Sequence, residues 1–401
     1  MFNKKKILIL GGGYEQLPGI KISNSLGLRT IVIDKNIKCP GKKISHKFYN
    51  ISTGNFNKIL KIAISEKIDG ASTFASEKPL MIISKICKKL KLNGPSINLV
   101  KNATNKRLSK KIFKNKKLPF IKGKTFSHQD RKKIDKFLNF KGGKKYVLKP
   151  SNSYGQNGIA LLKDKFNLSE KINTALKFST ENKIIIEEYL KGEELNLVGV
   201  VENQNLKILS ISQRFTNHNF FFGIAFKHIY PSKLDKSNIQ KLHKISLKII
   251  QHFKIKNSVI YFQFIHNKND LKIIEIAIRT PGGFMYELSK YVSGYDILKF
   301  TILKSMGIRN AFELCNLGTK KYSHLMIKFF TEFDFKNYKD VHKIILNKFK
   351  NLPGFLRLTM YTKKLKKLTN SSGRIGAIFV TGKNKKTCKD NLNRILRKIY
   401  K

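Results

Sequence analysis

The chain has 401 residues, 41% of them hydrophobic, which supplies two or three ordinary globular cores and excludes wholesale disorder. No apolar run approaches the roughly 18 residues of a membrane span, and Ile7 to Leu10 is too short for the apolar part of a secretion signal. The formal net charge is +56, from 81 Lys and Arg against 25 Asp and Glu. The lysines run through every segment, so they read as a compositional bias towards AT-rich codons rather than as one nucleic-acid-binding block, and they favour anionic ligands.

Four cysteines (39, 87, 315, 388) are scattered without a Cys-x-x-Cys pair, which points to reduced thiols in a cytoplasmic protein and argues against a zinc site. At the N-terminus, Ile7 to Leu10 reads as a buried strand, Gly11 to Gly13 as a tight turn, Pro18 to Leu26 as a helix and Thr30 to Asp34 as a second strand. An acid some 20 residues past glycines suggests a dinucleotide fingerprint, but Gly-Gly-Gly-Tyr-Glu-Gln lacks its third glycine. A helix over 56–66, a strand over 70–74, a helix over 79–90 and the Gly94-Pro95 turn continue the alternation, which implies a small parallel sheet. Asp34, Ser76 and Glu77 lie at strand C-terminal ends, where they bind a ligand or cap helices.

A basic helix is expected over 102–118, ended by Leu118-Pro119, and a polar connection with Gly142-Gly143 over 125–145. Tyr146 to Leu148 then delivers Lys149 into a loop of small residues, Ser151 to Gly158, before a second apolar run, Ile159 to Leu162. Exposed amides with a lysine at the base of such a hairpin suit a polyphosphate; a bare solvated tip is the other reading. A helix over 168–178, strands over 183–198, 207–212, 258–265 and 271–278, and a helix over 236–253 give an antiparallel α+β pattern. Short strands are expected over 321–361 and 374–380, and a closing helix over 386–399.

Two further stretches carry chemistry. Glu187-Glu-Tyr-Leu-Lys-Gly-Glu-Glu194 places acids around an aromatic at the end of a strand. The run Lys272 to Gly283 puts Glu275 and Arg279 on one strand face by period-2 alternation. Gln263, on the neighbouring strand, faces the same spot across a short hairpin. A hard cation such as Mg²⁺ takes oxygen ligands, commonly one or two carboxylates plus substrate phosphates.

With Lys106, the Lys149 hairpin, Glu187–Glu194 and Glu275–Arg279 in this order, the chain resembles the ATP-grasp superfamily of carboxylate–amine ligases over most of its length. The resemblance implies an α/β parallel-sheet domain over 1–101 and an α+β ATP-grasp domain over 102–307, with its nucleotide lid at about 120–190. It implies a small α+β domain like that of biotin carboxylases over 308–401. It implies that Lys106 and Lys149 hold the α- and β-phosphates of ATP and that the loop carrying Ser151, Ser153, Gly155 and Gly158 stays disordered until nucleotide arrives, then closes over the γ-phosphate. Glu187, Glu188, Tyr189 and Leu190 would read adenine, and Glu194 the ribose. Glu275 and Gln263 would bind Mg²⁺ or Mn²⁺, and Arg279 would steady the transferring phosphoryl group. Two positions depart from the family pattern: Gln263 stands where most members have an acid, as in the carbamoyl-phosphate synthetase branch, and Ala277 replaces the Asn of Glu-x-Asn.

The implied activity is phosphorylation of a small carboxylic acid to an acyl phosphate, then attack by an amine. Rivals are phosphorylation of bicarbonate, dinucleotide binding and nucleic-acid binding. The substrate-facing candidates are Gln16, Ser76, Glu77, His228, Pro231-Ser232 and Arg279. The implied partners are small molecules and a second copy of the chain, without membrane or nucleic acid.

Overall fold

The computed structural model describes residues 2–216, 222–268, 270–319, 321–335, 349–362 and 367–399. Residues 336–348, within the stretch expected to form short strands, lie outside the described residues.

The N-terminal part alternates strands and helices: β1 (Lys6–Leu10), α1 (Leu17–Ser25), β2 (Arg29–Asp34), β3 (Lys47–Asn50), α2 (Phe56–Ser65), β4 (Gly70–Ser72) and α3 (Leu80–Lys89). The strands form a parallel sheet in the order β3-β2-β1-β4. Period-2 alternation divides β1 between two cores. Leu8 and Leu10 pack with Ile59, Ile83 and Ile86 on the α2–α3 side. Ile7 and Ile9 face the other way, into a core shared with helices that come 290 residues later. Strand β3 is half-exposed and polar, Lys-Phe-Tyr-Asn, and the sequence carries no signal for it.

The basic stretch expected as one helix over 102–118 is two, α4 (Ile97–Thr104) and α5 (Lys106–Asn115). Asn105 divides them: its backbone is extended and its side chain accepts hydrogen bonds from the Arg107 and Leu108 amides, capping α5. The next unit holds β5 (Gly123–Ser127), α6 (Arg131–Phe137), β6 (Tyr146–Pro150), β7 (Ala160–Leu162), α7 (Leu168–Lys177) and β8 (Lys183–Glu188). Its antiparallel sheet runs β5-β8-β6-β7 around its own core of Phe126, Ile134, Leu148, Ile172 and Ile184. Part of the stretch expected as a connection is therefore a strand: β5 is mostly exposed, and pairing with β8 holds it in place.

The largest sheet has eight antiparallel strands. Its elements are β9 (Glu193–Glu202), β10 (Asn205–Thr216), β11 (Ala225–Tyr230), α8 (Lys236–Phe253), β12 (Ser258–Asn267), β13 (Asp270–Ala277), α9 (Met285–Ser293), α10 (Ile297–Ser305), α11 (Ala311–Leu314), β14 (His324–Phe330), β15 (Phe355–Met360), β16 (Gly376–Gly382) and α12 (Lys385–Ile399). The order is β13-β12-β9-β10-β11-β14-β16-β15. Strands β14, β15 and β16 thus extend the sheet begun by β9–β13, so the residues beyond 307 complete it instead of forming a sheet of their own. Helix α10 packs its buried Phe300, Ile302 and Leu303 into the core that also takes Ile7 and Ile9 of β1. The expected combination of a parallel α/β sheet and an antiparallel α+β grasp fold is observed.

Candidate active site

Helix α5 connects two sheets through two lysines. Lys106 and Lys110 are four residues apart and share a face. Lys106 Nζ lies 3.2 Å from Glu275 Oε1 on β13 and donates to the Ser153 carbonyl at 2.9 Å. Lys110 Nζ lies 2.9 Å from Glu187 Oε1 on β8. Lys149 on β6 donates to the other oxygen of Glu187 at 2.7 Å. In the β6–β8 register Lys149 pairs with Ile185, which makes Lys149 and Glu187 diagonal neighbours on one face.

Glu187 is 1% exposed and Lys149 7%, so this carboxylate and one of its two ammoniums are out of water, while Lys110 is half-buried. Burial opposes the charge on Glu187, but Lys149 and Lys110 outweigh it and hold its carboxyl below the ordinary range. Burial likewise drives the Lys110 ammonium down, against the pull of Glu187. Glu275 repeats the pattern: burial would raise its pKa, yet Lys106 and Lys149 hold it low.

Two adjoining cavities meet here. One, of about 80 Å³, is lined by Val147, Lys149, Glu187, Tyr189, Leu190 and Glu194, with Glu188 beside them. The other, of about 390 Å³, takes Ser153, Gly155, Glu77, Arg279, His228 and Arg374 into its walls. Lys106, Gln156, Arg214, Gln263 and Glu275 border both. Lys106, Lys149, Glu187 to Leu190 and Glu194 are thus brought to one continuous cleft. Backbone around Glu188 to Leu190 is partly committed, because the Glu188 and Tyr189 amides already bond the Lys122 and Lys145 carbonyls.

Gln263 and Glu275 are register partners on β12 and β13, as the hairpin reading expected. Gln263 Nε2 donates to the Tyr261 hydroxyl at 2.7 Å, and that hydroxyl donates to Asn196 Oδ1 at 2.8 Å. Asn196 Nδ2 lies 3.2 Å from His228 Nδ1. These contacts engage the Gln263 amide nitrogen, and Gln263 and Glu275 are cross-strand neighbours. One carboxylate plus one amide oxygen is a donor set that suits a hard cation when phosphate oxygens and water complete its shell, and Ala277 adds no donor. Among the described residues no group of three His, Cys, Asp or Glu could hold a metal by protein ligands alone.

At the floor of the larger cavity Arg279 donates to Glu77 Oε2 at 3.1 Å. Burial raises the Glu77 carboxyl, partly offset by Arg279. Ser76, Glu77, His228 and Arg279 line the cleft as candidates for substrate contact. Gln16 does not: its side chain bonds the Gly13 amide and the Phe74 carbonyl. Pro231 and Ser232 lie off it, with the Ser232 amide donating to the Ile211 carbonyl. Asp34 accepts from the Gly12 amide at 2.8 Å, an internal turn bond in place of a ribose contact.

The phosphate-loop residues divide. Ser153 and Gly155 line the cleft, whereas Ser151 is fully buried with its hydroxyl 3.1 Å from that of Ser179. Gly158 has φ +71°, and a Cβ there would meet Pro150 and Phe178 at 3.0 Å, so it closes the turn against β6 and α7. The loop also makes contacts beyond its own hairpin. Asn370 donates to Asn157 Oδ1 at 3.0 Å and Ser371 Oγ to the Gly155 carbonyl at 3.3 Å, which tie it to the turn before β16.

Lys110, Arg214, Tyr261, Asn196 and Arg374 escaped the sequence reading. Lys110 has no signal among 81 basic residues. Arg214 meets Glu194 and the Gly223 carbonyl.

Residues 104–219 match the family model of the phosphoribosylglycinamide synthetase ATP-grasp (A) domain. Over these residues, less than a third of its length, the chain is similar to the ATP-grasp superfamily. It is 22% identical over 315 residues to the carbamoyl phosphate synthase large chain of Clostridium acetobutylicum, covering 74% of this chain and 29% of that one. The chain therefore spans less than a third of the length of the carbamoyl phosphate synthase large chains it matches. It is 26% identical over 230 residues to a D-alanine--D-alanine ligase from a Wolbachia of Drosophila simulans, covering 54% of this chain and 69% of that one. The crystal structure of phosphoribosylglycinamide synthetase from Anaerococcus prevotii superposes with a TM-score of 0.71 at 20% identity over 98% of both chains. The ATP-grasp fold accounts for the two sheets that face each other across the cleft. Among the described residues no helix is long and apolar enough to cross a membrane.

Proposed function

We propose that this ATP-grasp protein is a ligase that uses ATP to activate a small carboxylic acid as an acyl phosphate and joins it to an amine. The observation that carries this reading is the convergence of Lys149–Glu187–Lys110 and Lys106–Glu275 on adjoining cavities with Arg279 at the floor.

The smaller cavity takes the adenine, between Val147, Tyr189 and Leu190, with Glu194 on the ribose. Lys149 and Lys106 bind the α- and β-phosphates by exchanging part of their carboxylate contacts for phosphate oxygens. Ser153 and Gly155 approach the terminal phosphate. Glu275 and Gln263 would hold Mg²⁺ or Mn²⁺, which when bound supplies neutralisation of the phosphate charge. Arg279, positioned by Glu77, stabilises the negative charge on the transferring phosphoryl group and the acyl phosphate. The carboxylate oxygen bonds to the γ-phosphorus as the bond to ADP breaks. The amine nitrogen then attacks the acyl carbon: the C–N bond forms, the bond to the phosphate oxygen breaks, inorganic phosphate leaves with the electron pair, and nitrogen sheds a proton. Positioning and charge neutralisation suffice for both steps.

Calorimetry with ADP and Mg²⁺ tests the nucleotide site, and no measurable binding would end this reading. A screen of ADP release over small acids and amines tests the reaction; release that depends on bicarbonate instead would identify a carboxylase-type enzyme. The assignment includes a cytoplasmic homodimer, in keeping with four free, buried cysteines and checked by solution mass.

A further inference from the structure

Three arginines line the larger cavity. Arg214 meets Glu194 and Arg279 meets Glu77. Arg374 meets no carboxylate among the described residues. Its guanidinium lies 3.9 Å over the Phe329 ring, and its Nε is buried without a hydrogen-bond partner. Burial and then the neighbouring Arg214 push its pKa down to about 10; Tyr361 and Glu15 act the other way without an ion pair to Arg374 among the described residues, and the guanidinium stands in the wall of the cleft. Gly283 leaves the space in front of it open; a Cβ there would stand 3.4 Å from Arg374 Nη1. A half-buried guanidinium with an unpartnered, buried Nε beside a cleft is completed by an anion through charge-assisted hydrogen bonds.

The charges that act most on Arg374 are Arg214, Tyr361 and Glu15. Those that act most on Glu275 are Lys106, Lys149 and Arg279. Lys106, Lys149 and Arg279 thus form the set around Glu275, whereas Arg374 has Arg214 as its nearest-acting cation in the same cavity. The set around Glu275 is required by the phosphates and the carboxylate they activate. The phosphate covers one side of the activated carbon, so the amine approaches from elsewhere, and Arg374 stands on the wall built by the C-terminal strands. Asn370 and Ser371, in the turn that carries Arg374, also grip the Gly155–Asn157 loop.

We infer that Arg374 receives a carboxylate that does not react, and that the amine joined here is an α-amino acid bound through that carboxylate. The inference rests on the ligase reading above and adds the class of its amine substrate.

The test uses the full chain with MgATP, a panel of small carboxylic acids including the amino acids themselves, and as amines the twenty amino acids beside decarboxylated counterparts such as methylamine for glycine and ethylamine for alanine. ADP release should depend on an amino acid, and loss of its carboxylate should raise KM about 10- to 150-fold, the worth of a charge-assisted contact. Arg374→Met should raise KM for the amino acid by the same factor, with Arg374→Lys between the two. MgADP affinity, measured by calorimetry on the same variants, should stay unchanged, which also shows that they are folded. Equal KM for an amino acid and its decarboxylated amine, turnover with none of the twenty, or an unchanged KM in Arg374→Met overturns the inference while MgADP binding keeps the ATP-grasp site intact. Loss of MgADP binding by the unaltered chain overturns both readings.

Discussion

The two ends of the cleft handle their charges in opposite ways. At the proposed nucleotide end Lys149 and Lys110 share Glu187, and Lys106 leans on Glu275. At the far end Arg374 has an aromatic ring beneath it and no ion-paired carboxylate among the described residues, with Glu15 acting on it from further off. A paired cation keeps the empty site intact and must give up part of its partner when phosphate arrives. An unpaired one adds nothing to the stability of the empty protein and keeps all its donors for a ligand.

The widest separation of the two ends comes from Glu187→Gln. It leaves one buried and one half-buried ammonium with a neutral partner, a change that costs roughly 3–5 kcal/mol in comparable buried pairs. The urea midpoint should fall accordingly; a midpoint within error of the unaltered protein would mean that the three-charge group is not what holds β6, β8 and α5 together.

Lys149→Ala should weaken MgADP binding by about 10- to 150-fold, through loss of one charge-assisted contact of roughly 1.5–3 kcal/mol. Equal affinity in calorimetry would remove Lys149 from the phosphate site.

Arg374→Met should go the other way in the empty protein. Removing a half-buried charge without an ion pair and keeping an unbranched side chain over Phe329 should leave Tm unchanged or raise it. A Tm that drops by several degrees would show that Arg374 is structural and that the contrast between the ends is false.

The smallest effect concerns pH. Burial, followed by Arg214 and Arg374, holds His228 neutral well below its ordinary value of 6.5. As pH falls through the unfolded value the unfolded chain gains a proton that the folded one refuses, so stability is complete above it and declines below. His228→Asn should flatten the decline between about pH 7 and pH 5, by at most roughly 1.4 kcal/mol per pH unit for one proton. An identical slope in the variant would place the acid sensitivity elsewhere.

The placement of much of the proposed nucleotide end was readable without coordinates. Lys149, Glu187, Glu275 and Arg279 stand at or beside strand ends, where apolar runs stop at a polar residue and period-2 alternation says which side chains share a face. The Gln263–Glu275 pairing followed from two strands joined by a short turn. Strands β3 and β5 were invisible because Lys-Phe-Tyr-Asn and Gly-Lys-Thr-Phe-Ser carry little apolar pattern, and pairing with β2 and β8 makes them strands. The break at Asn105 was obscured by a continuous basic helical pattern, although an Asn at that place is a capping residue.

The order of elements, the two kinds of sheet and the ATP-grasp resemblance are local properties, set by periodicity, turn residues and spacing along the chain. Which charges meet was decided by the tertiary structure. Lys110 is one lysine among many until α5 packs against β8, and Arg374 has no meaning for the cleft until β16 joins a sheet begun at β9. Contacts such as Arg279 with Glu77, 202 residues apart, depend on where separate sheets come to rest. A burial environment, which sets whether a cation is satisfied or waiting, belongs to the packed molecule and to no single stretch of its sequence.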